Sequence, residues 1–110
     1  MAFDAVLVTS GNVAIITLTG ELDSGVQQVF REQIEKAAAE RPQRMVLMMQ
    51  SLEYMSSAGL RALIYAKQKM GSEGDIYIIG APEGVVETLE MTGFAPSVII
   101  QETYDAAESV

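Results

Sequence analysis

The feature that most constrains the fold of this chain is an alternation of short apolar runs with helical segments. Residues 45–49 form an uninterrupted apolar run, which is typical of a central strand buried on both faces. The segments around residues 24–41 and 58–70 carry apolar residues at helical spacing. Strands that alternate with helices in this way predict a sheet that contains parallel pairs of strands and is covered by the helices.

Two further apolar, β-prone runs at residues 3–8 and 13–18 precede this alternation, and a turn cluster at residues 9–12 separates them. They predict an N-terminal hairpin, which adds an antiparallel edge to the sheet. Apolar runs at residues 76–79 and 98–100 predict two more strands. The predicted fold class is therefore α/β, with a small mixed β-sheet (the hairpin plus parallel strands) covered by helices.

Three helices are expected between these strands. Ser24 is predicted to cap the first helix, with Gln27 three positions on as in a capping box, and Pro42 to end it. The second helix is expected over residues 58–70, and Pro82 lies in the predicted first turn of the third. The positions expected to face the core are Val26, Val29, Phe30, Ile34, Ala37, Leu60, Leu63, Ile64, Ala66, Val85, Val86 and Leu89. The methionines are expected mainly to fill the core, and for some of them, such as Met91, an adaptable contact surface is the alternative.

Two internal stretches are expected to lie outside regular structure. Residues 20–23 break the strand pattern, and residues 50–55 are expected to form a short link from the 45–49 strand to the second helix. Residues 105–109 are expected to form a terminal helical turn. Because the 110 residues contain no recognisable linker or repeat, we expect a single domain over residues 1–110.

The composition excludes several kinds of catalytic site. The sequence contains neither cysteine nor histidine, which removes a thiol nucleophile, a cysteine zinc site and the most common general base and metal ligand. The phosphate-binding patterns GxxxxGK[ST] and GxGxxG are both absent. We therefore expect that the chain is not an enzyme and uses no metal or cofactor of its own. A module that binds a small ligand is the alternative.

The charge of the chain is unevenly distributed. Seven basic and fifteen acidic residues give a net charge of −8, and every charged residue in the segment 70–110 is acidic. Such a balance argues against a nucleic-acid-binding surface. Two interpretations remain open, namely a solvated acidic surface and a surface that attracts a basic protein partner.

The remaining general features concern location and assembly. The first residues lack the basic and long apolar segments of a signal peptide, and no apolar run approaches the ~20 residues of a membrane-spanning helix. We therefore expect a cytoplasmic protein without membrane contact. The apolar edge at residues 3–8 could pair with another chain, so monomer and weak dimer both remain open.

Residues 54–61 contain the most informative candidate site. A predicted strand leads into this segment and an amphipathic helix leaves it, which places Ser56 and Ser57 at a helix N-terminus. Serine is among the best N-cap residues, so a purely structural role is open. The unpaired N–H groups and positive dipole end also stabilise a phosphate, so a phosphorylation site is open as well.

Three segments, in this order, resemble motifs of the STAS domains (sulfate transporter and anti-sigma factor antagonist). Residues 19–23 resemble the TGELD opening, residues 54–60 the F-[IM]-D-S-[ST]-G-L loop, and residues 91–94 the M-S-G-L that ends the third helix. The resemblance covers about residues 6–100, nearly the whole chain. It implies the STAS fold and the function of an anti-sigma factor antagonist.

For this chain the resemblance implies binding to an anti-sigma factor that is also a serine kinase, which releases a sigma factor for transcription. The kinase would phosphorylate Ser57 and so end the binding, and a separate phosphatase would reset the switch. The kinase brings ATP and Mg²⁺, so the chain itself needs no cofactor. The implied partner-binding residues are Asp23, Ser56, Ser57, Ala58, Gly59 and Arg61.

Two positions depart from the family motif. Ser56 stands where the motif usually has Asp, and Ala58 replaces the second Ser or Thr. Ser56 can still cap the helix but supplies no carboxylate. The alternative is a STAS scaffold or binding protein that is not phosphorylated and in which the serine is only a cap. Three roles remain open for Arg61, which lies one turn into the helix. It could pair with a carboxylate of the partner, pair with the phosphoserine, or contact only solvent.

Overall fold

A computed structural model describes residues 2–104 of the chain. Five strands and three α-helices alternate after an initial hairpin. The strands are β1 Asp4–Ser10, β2 Val13–Leu22, β3 Arg44–Met55, β4 Asp75–Ile79 and β5 Ile99–Gln101, and the helices are α1 Gln27–Ala39, α2 Ser57–Met70 and α3 Glu83–Met91. A short 3-10 turn, Ala95–Ser97, precedes β5. The terminal turn predicted at residues 105–109 lies outside the described residues.

The strands form one mixed sheet in the order β1-β2-β3-β4-β5. β1 and β2 are antiparallel, and the other three neighbouring pairs are parallel. Ile16 lies opposite Leu7 on one side and Leu47 on the other, and Leu47 in turn lies opposite Ile78. The predicted hairpin, parallel strands and α/β class are thus confirmed.

The core lies mainly between the sheet and the helices. Phe30 and Ile34 of α1, Leu63 of α2 and Leu89 of α3 have no exposed surface and pack in one cluster with the inward side chains of the strands. A smaller cluster of Val13, Val46, Tyr77 and Ile79 occupies the opposite face of the sheet. The apolar run at residues 45–49 therefore serves both faces, as its sequence predicts.

Most of the two stretches expected to be irregular is in fact strand, so that prediction is wrong for residues 20–22 and 50–55, while Asp23 lies outside the strand. β2 continues to Leu22 and β3 continues to Met55, with these two residues opposite each other. Two register shifts, between Thr17 and Thr19 and between Gly20 and Glu21, adjust the pairing. After them Leu22 again lies in the core, which stabilises the extension. Because β4 pairs with β3 only as far as Met48, the ends of β2 and β3 project beyond the rest of the sheet.

The prediction that Ser24 caps α1 is wrong. The helix begins at Gln27, and no side chain donates or accepts a capping hydrogen bond. Instead, the Gly25 N–H donates to the Asp23 carboxylate over 2.9 Å, which forms a local turn that delays the helix. The Gln27 side chain accepts a hydrogen bond from Arg31 and so forms no capping box.

Three residues expected in the core are exposed instead. Val29 is 39%, Ile64 37% and Met91 86% exposed. In α2 the small residues Ala62 and Ala66 lie on the buried side of the helix, which leaves Ile64 on the outer side. Met91 is the last residue of α3, where the core contact of the helix has already ended.

The remaining boundaries differ from the predictions by one or two residues. α2 begins at Ser57, and Pro82 occupies the N-cap position just before α3. Gly93 follows α3 with a φ of +79°, which glycine adopts without strain. Within residues 2–104 no helix is long and apolar enough to cross a membrane.

Candidate functional site

The predicted site forms where β2 and β3 end. Asp23 directly follows β2 and Ser56 directly follows β3, and the two strand ends are adjacent. The Ser56 N–H donates to the Leu22 carbonyl over 2.9 Å, which fixes the start of α2 beside the β2–α1 loop. The strand extension thus brings together residues that are more than thirty positions apart in the sequence.

Ser57 is the first residue of α2 and is exposed. The Leu60 N–H donates the first hydrogen bond of the helix, to the Ser56 carbonyl over 3.1 Å. The N–H groups of residues 57–59 therefore precede the helical hydrogen bonds and leave the positive end of α2 beside the Ser57 hydroxyl. Arg61 is exposed one turn further along the same helix.

Ser56 occupies the predicted N-cap position but does not cap with its side chain. Its backbone is extended, with φ −83° and ψ 177°, and no side-chain capping hydrogen bond is formed. Within residues 2–104, its Oγ is the one buried side-chain polar atom that lacks a hydrogen-bond partner. The predicted position of Ser56 is therefore correct, but the expected capping bond is not formed.

Ala58 and Gly59 lie beneath the exposed residues at the start of α2. Ala58 is 1% exposed, and Gly59 is buried against the strand ends. A Cβ atom on Gly59 would lie 2.5 Å from Met55 Cγ and 2.9 Å from Leu22 Cγ. These two residues therefore set how closely α2 approaches the sheet, whereas Asp23, Ser57 and Arg61 supply the exposed groups of the site.

A cavity of about 240 Å³ beside the site was not predicted from the sequence. Residues 53–55 of β3 form one wall, and Pro82 contributes to the other together with Val85 and Thr88 of α3. Tyr54 in this wall is 51% exposed. The cavity depends on the extension of β3, so it could not be predicted from a sequence interpretation that ended this strand at residue 49.

The chemistry available at this site is that of an exposed hydroxyl at a positive helix end. No histidine exists in the chain to act as a base for Ser57. Among residues 2–104, no three acidic side chains are grouped so that they could hold a metal ion. A phosphate bound at such a position would be stabilised by the helix N–H groups and the dipole.

The missing capping bond leads to a prediction about Ser56. Ser56→Ala should change the free energy of unfolding by less than about 0.5 kcal/mol, whereas loss of a working serine cap typically costs about 1 kcal/mol. Ser56→Asp should raise it by about 0.5–1 kcal/mol, because a carboxylate at the N-cap accepts helix N–H groups and complements the dipole. Urea unfolding measures both values, and a cost of 1 kcal/mol or more for Ser56→Ala would contradict the observed geometry.

The fold and motif positions agree with a comparison against family models. The model of the STAS domain matches residues 4–107, so this chain belongs to the STAS domain family. The resemblance inferred from three short motifs is thereby confirmed. A comparison with curated proteins gives no significant match.

Solved structures of anti-sigma factor antagonists share the fold over nearly the whole chain. An anti-sigma factor antagonist from Mycobacterium paratuberculosis has a TM-score of 0.86 at 20% identity, covering 97% of this chain and 92% of that one. SpoIIAA in its unphosphorylated form has a TM-score of 0.72 at 17% identity, covering 97% and 93%. The Bacillus SpoIIAA in the phosphorylated form has a TM-score of 0.73 at 20% identity, covering 97% and 96%. At these identities the structures show a common fold.

Proposed function

We propose that this protein is an anti-sigma factor antagonist whose binding to an anti-sigma factor is controlled by phosphorylation of Ser57. The observation that carries the proposal is the exposed Ser57 hydroxyl at the start of α2, in a loop fixed by the bond from Ser56 to Leu22. Membership of the STAS family supports the proposal, as does the fold shared with antagonists known in unphosphorylated and phosphorylated forms.

The start of α2 can hold a phosphate without unfolding the domain. A phosphate on Ser57 would lie near the free N–H groups of the first turn and at the positive end of a 14-residue helix. Arg61 lies one turn further along and offers a second positive group. Modification should therefore leave the fold intact and change only the surface that a partner meets.

The same phosphate would oppose binding of the partner. It adds a charge of about −1.5 to −2 at neutral pH to a protein of net charge −8, close to the exposed carboxylate of Asp23. In a contact that excludes water, a phosphate that no group of the partner pairs with costs several kcal/mol. Phosphorylation thus acts as an off-switch for docking through the surface of Asp23, Ser57 and Arg61, with Ser56, Ala58 and Gly59 holding this surface in place.

The partners follow from this scheme. The proposed partner is an anti-sigma factor with serine kinase activity, which supplies ATP and Mg²⁺, and a phosphatase removes the phosphate. The antagonist acts in the cytoplasm, without catalysis of its own, and its effect on transcription runs through the sigma factor rather than through contact with nucleic acid. The acidic residues 70–110 provide charge that attracts a basic surface of the partner.

The proposal is tested by incubating the chain with ATP and each serine kinase of the anti-sigma type encoded in the same genome. We expect one phosphate per chain, located on Ser57 by mass spectrometry, and no phosphate on the Ser57→Ala variant. Ser56→Ala is the matched control, since it removes the neighbouring hydroxyl and should still be labelled. Labelling of Ser56 alone would contradict the assignment to Ser57, and labelling of neither serine by any of these kinases would support the unphosphorylated scaffold instead.

A further inference from the structure

The hairpin leaves a long strand edge without a partner. β1 is an outer strand of the sheet, and within residues 2–104 no strand pairs with its second side. β1 contains seven residues, whereas β5 at the other edge contains three. The row of backbone N–H and C=O groups along β1 is thus the longer template for pairing with another strand.

β1 has few of the features that prevent edge pairing, the main one being the Asp4 carboxylate, which accepts a hydrogen bond from the Ala5 N–H over 2.9 Å. Its sequence contains no lysine, arginine or proline, and Asp4 is its single charged residue. Val6 and Val8 are 51% and 57% exposed on one face of the strand. Both side chains lie on the face of the sheet that also holds the smaller apolar cluster, because Val8 is opposite Ile15, which packs against that cluster.

We propose that β1 pairs with β1 of a second copy of this chain, antiparallel and with the two-fold axis at Leu7. This register uses the full length of the strand and joins two five-stranded sheets into one of ten strands. Val6 of each copy then lies opposite Val8 of the other, so that four exposed valines cover one another. Cross-strand pairs of β-branched side chains stabilise such contacts.

The charges along β1 are compatible with this pairing despite the acidic character of the protein. Asp4 is the single charged residue among residues 1–20, so seven of the eight net negative charges lie elsewhere in the chain. In the proposed register Asp4 lies opposite Ser10 of the second copy and not opposite another carboxylate. The serine hydroxyl is a hydrogen-bond donor that suits this position.

The adjacent helix α1, which covers the other face of the sheet, presents an apolar side chain near the same edge. Arg31 lies 4.6 Å from the ring centroid of Tyr65, which places this flank of α1 against α2. Val29 is two residues earlier, about 200° around the helix, and so lies on the flank that faces away from α2. Since α1 also packs on β1, the 39% exposed Val29 extends the apolar edge.

The expected dimer is weak. Pairing of one seven-residue strand and a few side chains buries less than the roughly 1,600 Å² of a standard stable interface. We therefore expect a dissociation constant of about 10 µM to 1 mM and a reversible equilibrium.

Sedimentation equilibrium of the full chain from about 10 µM to 1 mM tests the inference. The wild-type weight-average mass should rise toward that of a dimer. Val6→Lys/Val8→Lys and Val6→Glu/Val8→Glu should each remain monomeric, because their like charges face each other, and an equimolar mixture of the two should associate again. A wild type that stays monomeric throughout, or a lysine variant that associates as well as wild type, would overturn the proposal.

Cysteine pairing tests the register and does not depend on charge. The chain contains no cysteine, so single cysteines introduce one thiol each. Opposite residues have Cβ atoms about 4.5–5.5 Å apart, close to what a disulfide requires. Under mild oxidation a mixture of Val6→Cys and Val8→Cys chains should form cross-linked heterodimers, whereas either variant alone should remain uncross-linked. Cross-linking of Val6→Cys with itself, or none in the mixture, would contradict the register.

Discussion

Ser57→Asp is expected to weaken binding to the anti-sigma kinase by at least about 100-fold, which corresponds to about 2.7 kcal/mol. The carboxylate would lie at the exposed start of α2, in the centre of the proposed docking surface, where a buried charge without a partner is costly. Ser57→Ala should bind within about threefold of wild type, because it removes no charge and no observed hydrogen bond. Titration calorimetry with the purified kinase measures both affinities.

Ser56→Asp is the matched control for this experiment. It adds the same charge one residue earlier, at the half-buried N-cap position, where the helix N–H groups can neutralise it. We expect it to bind within about fivefold of wild type, since its carboxylate faces the helix and not the partner. Equal losses for both variants would mean that overall charge, and not the position of Ser57, controls the interaction.

The second large effect is expected for Gly59→Ala, which should lower the free energy of unfolding by about 2 kcal/mol. The new methyl group would clash with Met55 Cγ and Leu22 Cγ, and both atoms belong to side chains packed between α2 and the strand ends. Alanine favours helix by about 1 kcal/mol over glycine, so the clash must exceed this gain. Because α2 would have to move away from the sheet, Ser57 would move with it and partner binding should also weaken.

Gly84→Ala in α3 is the control for the helix preference alone. A Cβ atom there has no neighbour within 4 Å, and Gly84 is exposed in the first turn of the helix. This variant should therefore be neutral or stabilised by up to about 1 kcal/mol. Urea unfolding of the two variants side by side separates the helix preference of alanine from the clash at residue 59. A stabilised Gly59→Ala would contradict the close approach of α2 to the sheet.

The sequence predicts the framework of the fold because hydrophobic periodicity is a local signal. The apolar run at residues 45–49 and the two runs of the hairpin identify buried strands without any knowledge of their partners. The extension of β2 and β3 could not be predicted in this way. It depends on the register shifts near Gly20 and on the packing of Leu22 against α2, which are contacts between distant segments.

Only those features of the candidate site that depend on local patterns could be predicted from the sequence. The position of Ser57 at a helix N-terminus follows from the strand and helix patterns on either side of it. The uncapped hydroxyl of Ser56 depends on a side-chain rotamer, and the burial of Ala58 and Gly59 depends on how closely α2 packs on the strand ends. For Ser24 the local pattern predicted a capping bond that does not form. The turn in which the Gly25 N–H donates to the Asp23 carboxylate occupies this segment, and the helix begins later.

The central claim is that a phosphate on Ser57 controls binding to an anti-sigma factor. The most direct measurement compares the unmodified chain with the chain phosphorylated at Ser57 in titrations against the same kinase, with phosphate content verified by mass spectrometry. We predict at least about 100-fold weaker binding of the phosphorylated form and full recovery after treatment with a phosphatase. Equal affinity of the two forms would contradict the account.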